Sequence, residues 1–403
     1  MTSVRRCDNW LLAYRDYILP RTDAPESFVF WSGVFAISSV LRRRVKFPKR
    51  ILGLWDCYPH MYLMFVGPPG MRKTTAIEHG TLPLLAQTDG LKEGPTFFTK
   101  EAVLEKMQQT ADNSIYMVVG EFSDIFQKAG KDRSGVYEFF TRMYDGMATL
   151  DSATKTQGNV LLVKPSINFV SATTPGWITD NMPEGVISGG FASRCIWVYA
   201  EQLRINKMFF DDIETNLDLE NDLLLDLLAI SKLEGEFTWS DDGKAAMKDW
   251  ETQDTPQFLK NNDKLGGYIN RRRMHTLKLA MLHSVMEKNE LVIEKRDWDF
   301  ATHAISTIEP DLPKIFGGVG KNPFTSEIEK IVAYVRNMNF FSKEAVPLDE
   351  ILRAFAHSAR PRELRDLIDY AVDSKQIIHV EAKMGEHVFY TPDFLAEVQS
   401  VGK

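Results

Sequence analysis

The sequence predicts an α/β fold built on a parallel sheet around a phosphate-binding loop. Three observations carry that expectation. The apolar run Met61-Tyr62-Leu63-Met64-Phe65-Val66 leads directly into Gly67-Pro68-Pro69-Gly70-Met71-Arg72-Lys73-Thr74-Thr75. Two further apolar runs, Ser114 to Val119 and Ser166 to Ala172, have the unbroken hydrophobicity of strands covered on both faces. Helical periodicity separates and flanks these strands, as the alternation of an α/β sheet requires.

The chain has 403 residues, with 44% hydrophobic and 26% charged, the balance of a folded protein with room for two or three domains. Its net charge of −7 argues against a generally basic nucleic-acid-binding surface, so any contact with DNA must be local. Cys7, Cys57 and Cys195 are too few and too scattered for a disulfide framework or a zinc cluster, which points to a reducing compartment. No run approaches the roughly 20 apolar residues that span a bilayer, and the start of the chain lacks a signal-peptide core. A cytoplasmic protein without a membrane partner is the expectation.

Residues 1–55 read as an N-terminal helical region, with Trp10, Leu11, Tyr14 and Ile18 at helical spacing and a second apolar stretch from Phe28 to Leu41. A basic run follows, Arg42, Arg43, Arg44, Lys46, Lys49 and Arg50, which reads as a solvated face or a phosphate contact. Residues 56–235 read as the α/β core.

Within the core, the loop from Gly67 through Thr75 has the parts that a nucleotide's phosphates require. Glycine lets backbone N–H groups approach, Lys73 reaches the β/γ oxygens, and the Thr74 hydroxyl ligates Mg²⁺. Gly67, Pro68, Pro69, Gly70, Met71, Arg72, Lys73, Thr74 and Thr75 are therefore the candidate nucleotide-binding set, and ATP with Mg²⁺ the expected cofactors. Arg72 stands where a glycine is usual, so its side chain must point away from the phosphates.

The strand Ser114 to Val119 ends in Gly120-Glu121, and Glu121 is the candidate base and second metal ligand. The strand from Ser166 ends in Thr173-Thr174-Pro175, with Thr174 the candidate γ-phosphate sensor or simply the cap of a turn. Between them lie a helix near Val136 to Tyr144 and a hairpin over Thr149 to Val163, whose tip presents Lys155 for a phosphate contact with DNA. Further on, Arg194 precedes the apolar run Cys195 to Tyr199, where its planar donors can be offered to a neighbouring molecule.

Residues 236–309 read as a helical lid, with one helix opened by Arg271-Arg272-Arg273 and another carrying Trp298, Phe300, Ala301 and Ile305. His275 and His283 read as surface or packing residues, since no acidic or Cys partner shares their spacing. Pro310 to Pro323, with Gly317, Gly318 and Gly320, reads as part of a linker over 310–324. Residues 325–403 give three helices and two short strands around Gly385, a winged-helix pattern. Its third helix mixes Arg362 and Arg365 with Glu363, Asp366 and Asp369.

This order of elements over roughly residues 25 to 308 resembles the AAA+ replicative helicases of phages and pathogenicity islands, relatives of the minichromosome maintenance ring. The Lys73 loop, the hairpin before the sensor strand, Ser193-Arg194 and the helix of Arg271 with Leu277-Lys278-Leu279-Ala280 carry the resemblance. It implies an AAA+ P-loop ATPase core with N-terminal helical region, helical lid and C-terminal winged-helix domain. It also implies an ATP-dependent DNA helicase or translocase, acting as a hexameric ring in the cytoplasm of a bacterial host. Arg194 would be the finger acting across the subunit interface, Arg271 a second sensor and Lys155 the pore contact. The implied partners are further copies of the chain, single-stranded or forked DNA, and a replication initiator or primase. The alternative is an initiator or loader ATPase that remodels origin DNA without processive unwinding. Arg72, Gly120 and Thr174 depart from the family's Gly, Asp and Asn.

Overall fold

The computed structural model describes the chain except residues 1–4, 54, 96–97, 127–133, 146–148, 155–157, 188–189, 206–209, 211–215, 320–324, 357–359, 383–385 and 396–403. The chain divides into two compact units, Met1–Val319 and Gly320–Lys403.

The first unit is mixed α/β around a five-stranded sheet formed by β1 (Tyr62–Val66), β2 (Lys92–Glu93), β3 (Ser114–Val119), β6 (Ser166–Thr173) and β7 (Cys195–Tyr199). All pairs are parallel and the order is β2-β3-β6-β1-β7. The hairpin β4 (Thr149–Thr154) and β5 (Gly158–Val163) stands between β3 and β6 in the chain, paired from Thr149↔Val163 to Thr154↔Gly158. Both faces of the sheet are covered, which explains why β1 and β6 are buried at every position.

Side-chain alternation sorts each strand between two hydrophobic cores. Leu63, Phe65, Val170, Ala172, Ile196 and Val198 enter one, whereas Tyr62, Met64, Ile167, Phe169, Cys195 and Trp197 enter the other.

The first core is filled by α1 (Trp10–Ile18) and α2 (Glu26–Leu41). Trp10, Leu11, Tyr14 and Ile18 are the buried face of α1. Helix α2 is buried nearly all round and lays Phe28 on Phe65 of the sheet at 4.9 Å between ring centroids. The N-terminal helices thus form a layer of this unit's core. A helical segment follows β1: α3 (Lys73–Thr75), a π-helical stretch Ala76–Thr81 and Leu82–Ala86. The second core takes α4 (Lys100–Gln108) and α5 (Ser134–Tyr144), with α6 (Pro175–Asn181) after β6.

Beyond the sheet come α7 (Leu217–Ile230), α8 (Asp241–Glu251), the long α9 (Gly266–Glu287) and α10 (Lys295–Ile308). Helix α9 is buried from His275 to Met286. His283 bonds Asp297 there, Nδ1 to Oδ1 at 2.7 Å, and is a packing residue.

One reading needs correction and another holds in part. The expected linker is helical at its start: a 3₁₀ turn Glu309–Asp311 leads into α11 (Leu312–Phe316), whose Leu312, Ile315 and Phe316 are buried. Pro310 and Pro313 sit in first-turn positions, where the missing N–H costs nothing, so they start helices here and do not break them. The basic run divides: Arg42 is buried and pairs with Asp112, whereas Arg44, Lys49 and Arg50 are exposed as a solvated face requires, with Arg44 on Glu234, Lys46 on Asp56 and Arg50 on Glu236.

The second unit comprises α12 (Thr325–Ser342), α13 (Leu348–Ala354) and α14 (Pro361–Asp373), with a three-stranded antiparallel sheet. Its strands are β8 (Val346–Pro347), β9 (Ile378–Glu381) and β10 (His387–Tyr390), with β10 in the middle. Ile331, Val335, Ile351, Leu364, Ile368 and Phe389 form its own core.

Candidate functional site

The loop after β1 lies at the carboxyl end of the sheet, between β6 and β7, where the chain has turned from building the sheet on one side of β1 to the other. Ligand crevices of open α/β sheets form at such switch points. Gly67 is required by close approach: a Cβ there would stand 2.3 Å from the Ala200 carbonyl oxygen. Its amide donates to the Thr173 carbonyl at 3.3 Å, and the Ala200 amide to that of Val66 at 3.0 Å, so both flanking strands hold the loop. Pro68, Pro69 and Gly70 are exposed and Met71 is buried beneath them.

Lys73, buried at 7% exposure, turns back into the loop and donates to the carbonyls of Gly67 at 2.9 Å and Pro68 at 2.8 Å. Burial lowers its pKa, and the carboxylate of Glu121 opposes that shift. Arg72 has φ 54°, the left-handed conformation that normally selects glycine. Its Nε donates to both Asp23 oxygens, at 3.0 and 3.2 Å, so the side chain leaves the loop and ties it to the segment before α2. This is the outward orientation expected for an arginine at that position.

The end of β3 lies against the start of α3: a Cβ on Gly120 would sit 3.5 Å from Thr74 Cγ2. Glu121 is exposed next to it, and Thr74 and Thr75 are half-buried. Thr174 caps α6, its hydroxyl oxygen accepting from the Trp177 amide at 3.2 Å. The hydroxyl proton remains able to donate. Lys73, Thr74, Glu121 and Thr174 thus all stand at the carboxyl ends of neighbouring strands.

Arg194 and Arg271 are brought together at the other end of the sheet. Arg194 immediately precedes β7, whose first residue pairs with Tyr62 at the start of β1. Five residues of strand separate that level from Gly67, roughly 16 Å at about 3.3 Å per residue. Arg194 is buried at 7% exposure and forks onto Asp145, with Nε to Oδ1 at 2.9 Å and Nη2 on Oδ2, while Nη1 donates to the Gly190 carbonyl at 2.5 Å. Gly190 makes room, since a Cβ there would lie 3.1 Å from Arg194 Nη1. Arg271, from the first turns of α9, reaches the same carboxylate at 3.6 Å. Its pKa is lowered by burial and by neighbouring Arg194, against the pull of Asp145.

These residues line a cavity of about 1030 Å³. Lys278 is in its wall, buried, donating to the His60 carbonyl at 2.8 Å and lying 3.7 Å from the Tyr144 ring centroid. Burial pushes its pKa down to about 7, with Arg271 and Arg194 adding to the effect. His60 Nε2 lies 2.7 Å from the Tyr144 carbonyl, which can only accept, so Nε2 carries the proton. Burial and Lys278 hold this imidazole well below its usual pKa and neutral. His275 meets the Ser193 carbonyl at 2.9 Å, packs on Tyr268 and is likewise a packing residue.

Asp23 and Asp145 escaped sequence reading, and Lys278 entered it only within the Leu277-Lys278-Leu279-Ala280 run, without a role of its own. Asp145 alone carried a signal, since a carboxylate directly after the C-terminus of α5 opposes the helix dipole unless a cation holds it. Lys155 lies outside the described residues. Among the described residues no helix is long and apolar enough to cross a membrane. No protein-family model matches this chain, and no curated protein matches it significantly.

Proposed function

We propose that the chain is an ATPase of the AAA+ type that works as a ring on DNA, most simply a hexameric helicase or translocase in phage or mobile-element replication in a bacterial cytoplasm. One observation carries the reading: the loop with Lys73, Thr74 and Glu121 stands at one end of the sheet, and Arg194 with Arg271 at the other. No arginine side chain spans that gap. Arg194 and Arg271 can act on a nucleotide held by a Lys73 loop only when that loop belongs to a second copy, which is what a ring supplies.

In this reading the loop residues Gly67 to Thr75 bind the phosphates of ATP. The oxygen donors Thr74 and Glu121 suit Mg²⁺, a hard cation, and Gly120 beside Thr74 brings them to one place. The ion would neutralise charge on the β- and γ-phosphates. Lys73, held inside the loop by two carbonyls, is positioned to exchange them for phosphate oxygens. Glu121 orients and deprotonates the attacking water, and the Thr174 hydroxyl donates to the γ-phosphate. Arg271, the more exposed of the pair, and Arg194 on release from Asp145 and Gly190 would contribute cationic donors from the neighbour, the role that arginine fingers play in phosphoryl transfer. Lys155 is the residue assigned to the contact with DNA. Residues 325–403 form a winged-helix module whose helix α14 exposes Arg362 and Arg365 among Glu363, Asp366 and Asp369, suited to contact an initiator, a primase or DNA.

A second reading, an initiator or loader that remodels DNA without processive unwinding, is favoured by Gly120, which leaves Glu121 to serve as base and metal ligand together. ATP hydrolysis with and without single-stranded DNA, beside a strand-displacement assay, separates the two. The helicase reading expects DNA-stimulated hydrolysis lost in Lys73→Ala, together with strand separation. Hydrolysis without separation selects the initiator or loader, and no hydrolysis refutes both.

A further inference from the structure

The cavity at the amino ends of the strands is lined by more cationic side chains than carboxylates. Arg194, Arg271 and Lys278 all line it; the two arginines share the Asp145 carboxylate, and the Lys278 ammonium donates to the His60 carbonyl at 2.8 Å. The remaining charges lining it do not change that count. Asp56 is already paired with Lys46 at 2.9 Å, and exposed Arg273 offsets exposed Glu251. Buried charges are ordinarily matched one for one, because an unmatched ion out of water is costly.

The shared carboxylate is also the most accessible member. Asp145 is 48% exposed, against 8% for the Arg194 side chain and 29% for Arg271. Two guanidinium groups gathered on one carboxylate, with Lys278 lining the same cavity, offer more donors than that carboxylate can use and suit the several oxygens of a phosphoryl group.

We propose that this cavity is a second phosphoanion site, apart from the loop at the other end of the sheet, which takes a phosphoryl group of a nucleoside polyphosphate or inorganic polyphosphate on Arg194, Arg271 and Lys278 in place of Asp145. Lys278 is a ligand-binding residue of this site, and Asp145 is the intramolecular anion that occupies the cations until the ligand arrives. The site goes beyond the ring reading, because it exists in a single copy. Its phosphoanion has two sources, free ligand or the nucleotide held by a second copy.

The test uses the full chain carrying Lys73→Ala, which removes the loop's contribution, and inorganic pyrophosphate as probe, in titration calorimetry at constant ionic strength. In the first arm the chain is dilute and single. In the second, a copy carrying Arg194→Ala and loaded with ATPγS is added. Binding in the first arm assigns free phosphoanion, and association in the second arm alone assigns the second copy's nucleotide. Under either source, adding Lys278→Met weakens binding about tenfold, and Asp145→Asn strengthens it several-fold. Asp145→Asn also lowers the melting temperature in chloride and regains the loss in pyrophosphate, since a ligand bound only to the native state stabilises it. Lys278→Met removes a buried charge and should fold. No binding in either arm, or binding indifferent to Lys278→Met and Asp145→Asn, overturns the site. No association in the second arm also counts against the arginine contact of the ring, whereas hydrolysis by the wild type and its loss in Lys73→Ala are read separately, so failure of this site is told apart from failure of the ATPase reading.

Discussion

Replacing Lys278 by methionine tests the electrostatics of the cavity through folding stability. The ammonium is fully buried and its pKa is pushed from 10.5 down to about 7. Between those values the unfolded chain holds a proton that the native chain has released, so stability rises with pH across that window and is flat below it. For one such group the rise from pH 7 to pH 9 amounts to about 2 kcal/mol. A methionine side chain fills similar volume without a charge, so the variant should lack this rise and exceed the wild type most near pH 7. All eight tryptophans, from Trp10 to Trp298, belong to the first unit, so urea unfolding followed by tryptophan fluorescence reports that unit. The difference between wild type and variant at pH 7 and pH 9 cancels groups common to both. A difference that stays constant between the two pH values would refute the buried, charge-frustrated lysine.

Gly67→Ala places a methyl group 2.3 Å from the Ala200 oxygen, backbone that cannot step aside, and should cost about 2 kcal/mol while lowering ATP affinity at least tenfold, read by calorimetry. Asp23→Asn loosens Arg72 from its left-handed position; because Arg72 is half exposed, about 1 kcal/mol is at stake, seen as roughly fivefold weaker binding of a fluorescent nucleotide. Unchanged affinity would leave Asp23 a purely structural partner. Thr174→Val removes the cap of α6 at a cost of about 1 kcal/mol, and should reduce the hydrolysis rate beyond that, with Thr174→Ser restoring both. A Val variant that is less stable yet hydrolyses normally makes Thr174 a cap alone.

Local pattern made much of the fold legible. The apolar runs marked β1, β3 and β6 because burial on both faces leaves no polar alternation, and Trp10, Leu11, Tyr14 and Ile18 marked α1 because helical spacing puts them on one side. The glycine and lysine spacing of the Gly67 to Thr75 loop was visible because it is contiguous. Residues 310–316 were misread because proline was taken as a breaker where it occupies a first turn. The partners of the basic run were hidden by distance in sequence: Arg42 meets Asp112, and Arg50 meets Glu236. The Asp145 hub was hidden likewise, since Arg194 and Arg271 reach it from 49 and 126 positions away along the chain. Lys278 was visible only as part of the Leu277-Lys278-Leu279-Ala280 run and without a role, because its burial within α9 is a property of the packed unit.

The central claim is that two copies complete one catalytic site, and mixing two inactive variants tests it most directly. Lys73→Ala removes the phosphate lysine but retains Arg194, whereas Arg194→Ala retains the loop but lacks the donor at the other end of the sheet. Each alone should hydrolyse ATP at a small fraction of the wild-type rate. Mixed in equal amounts, they should regain a substantial part of it, because copies with an intact loop then sit beside copies with an intact arginine. A mixture no more active than its components, or an Arg194→Ala variant as active as the wild type, would contradict the account.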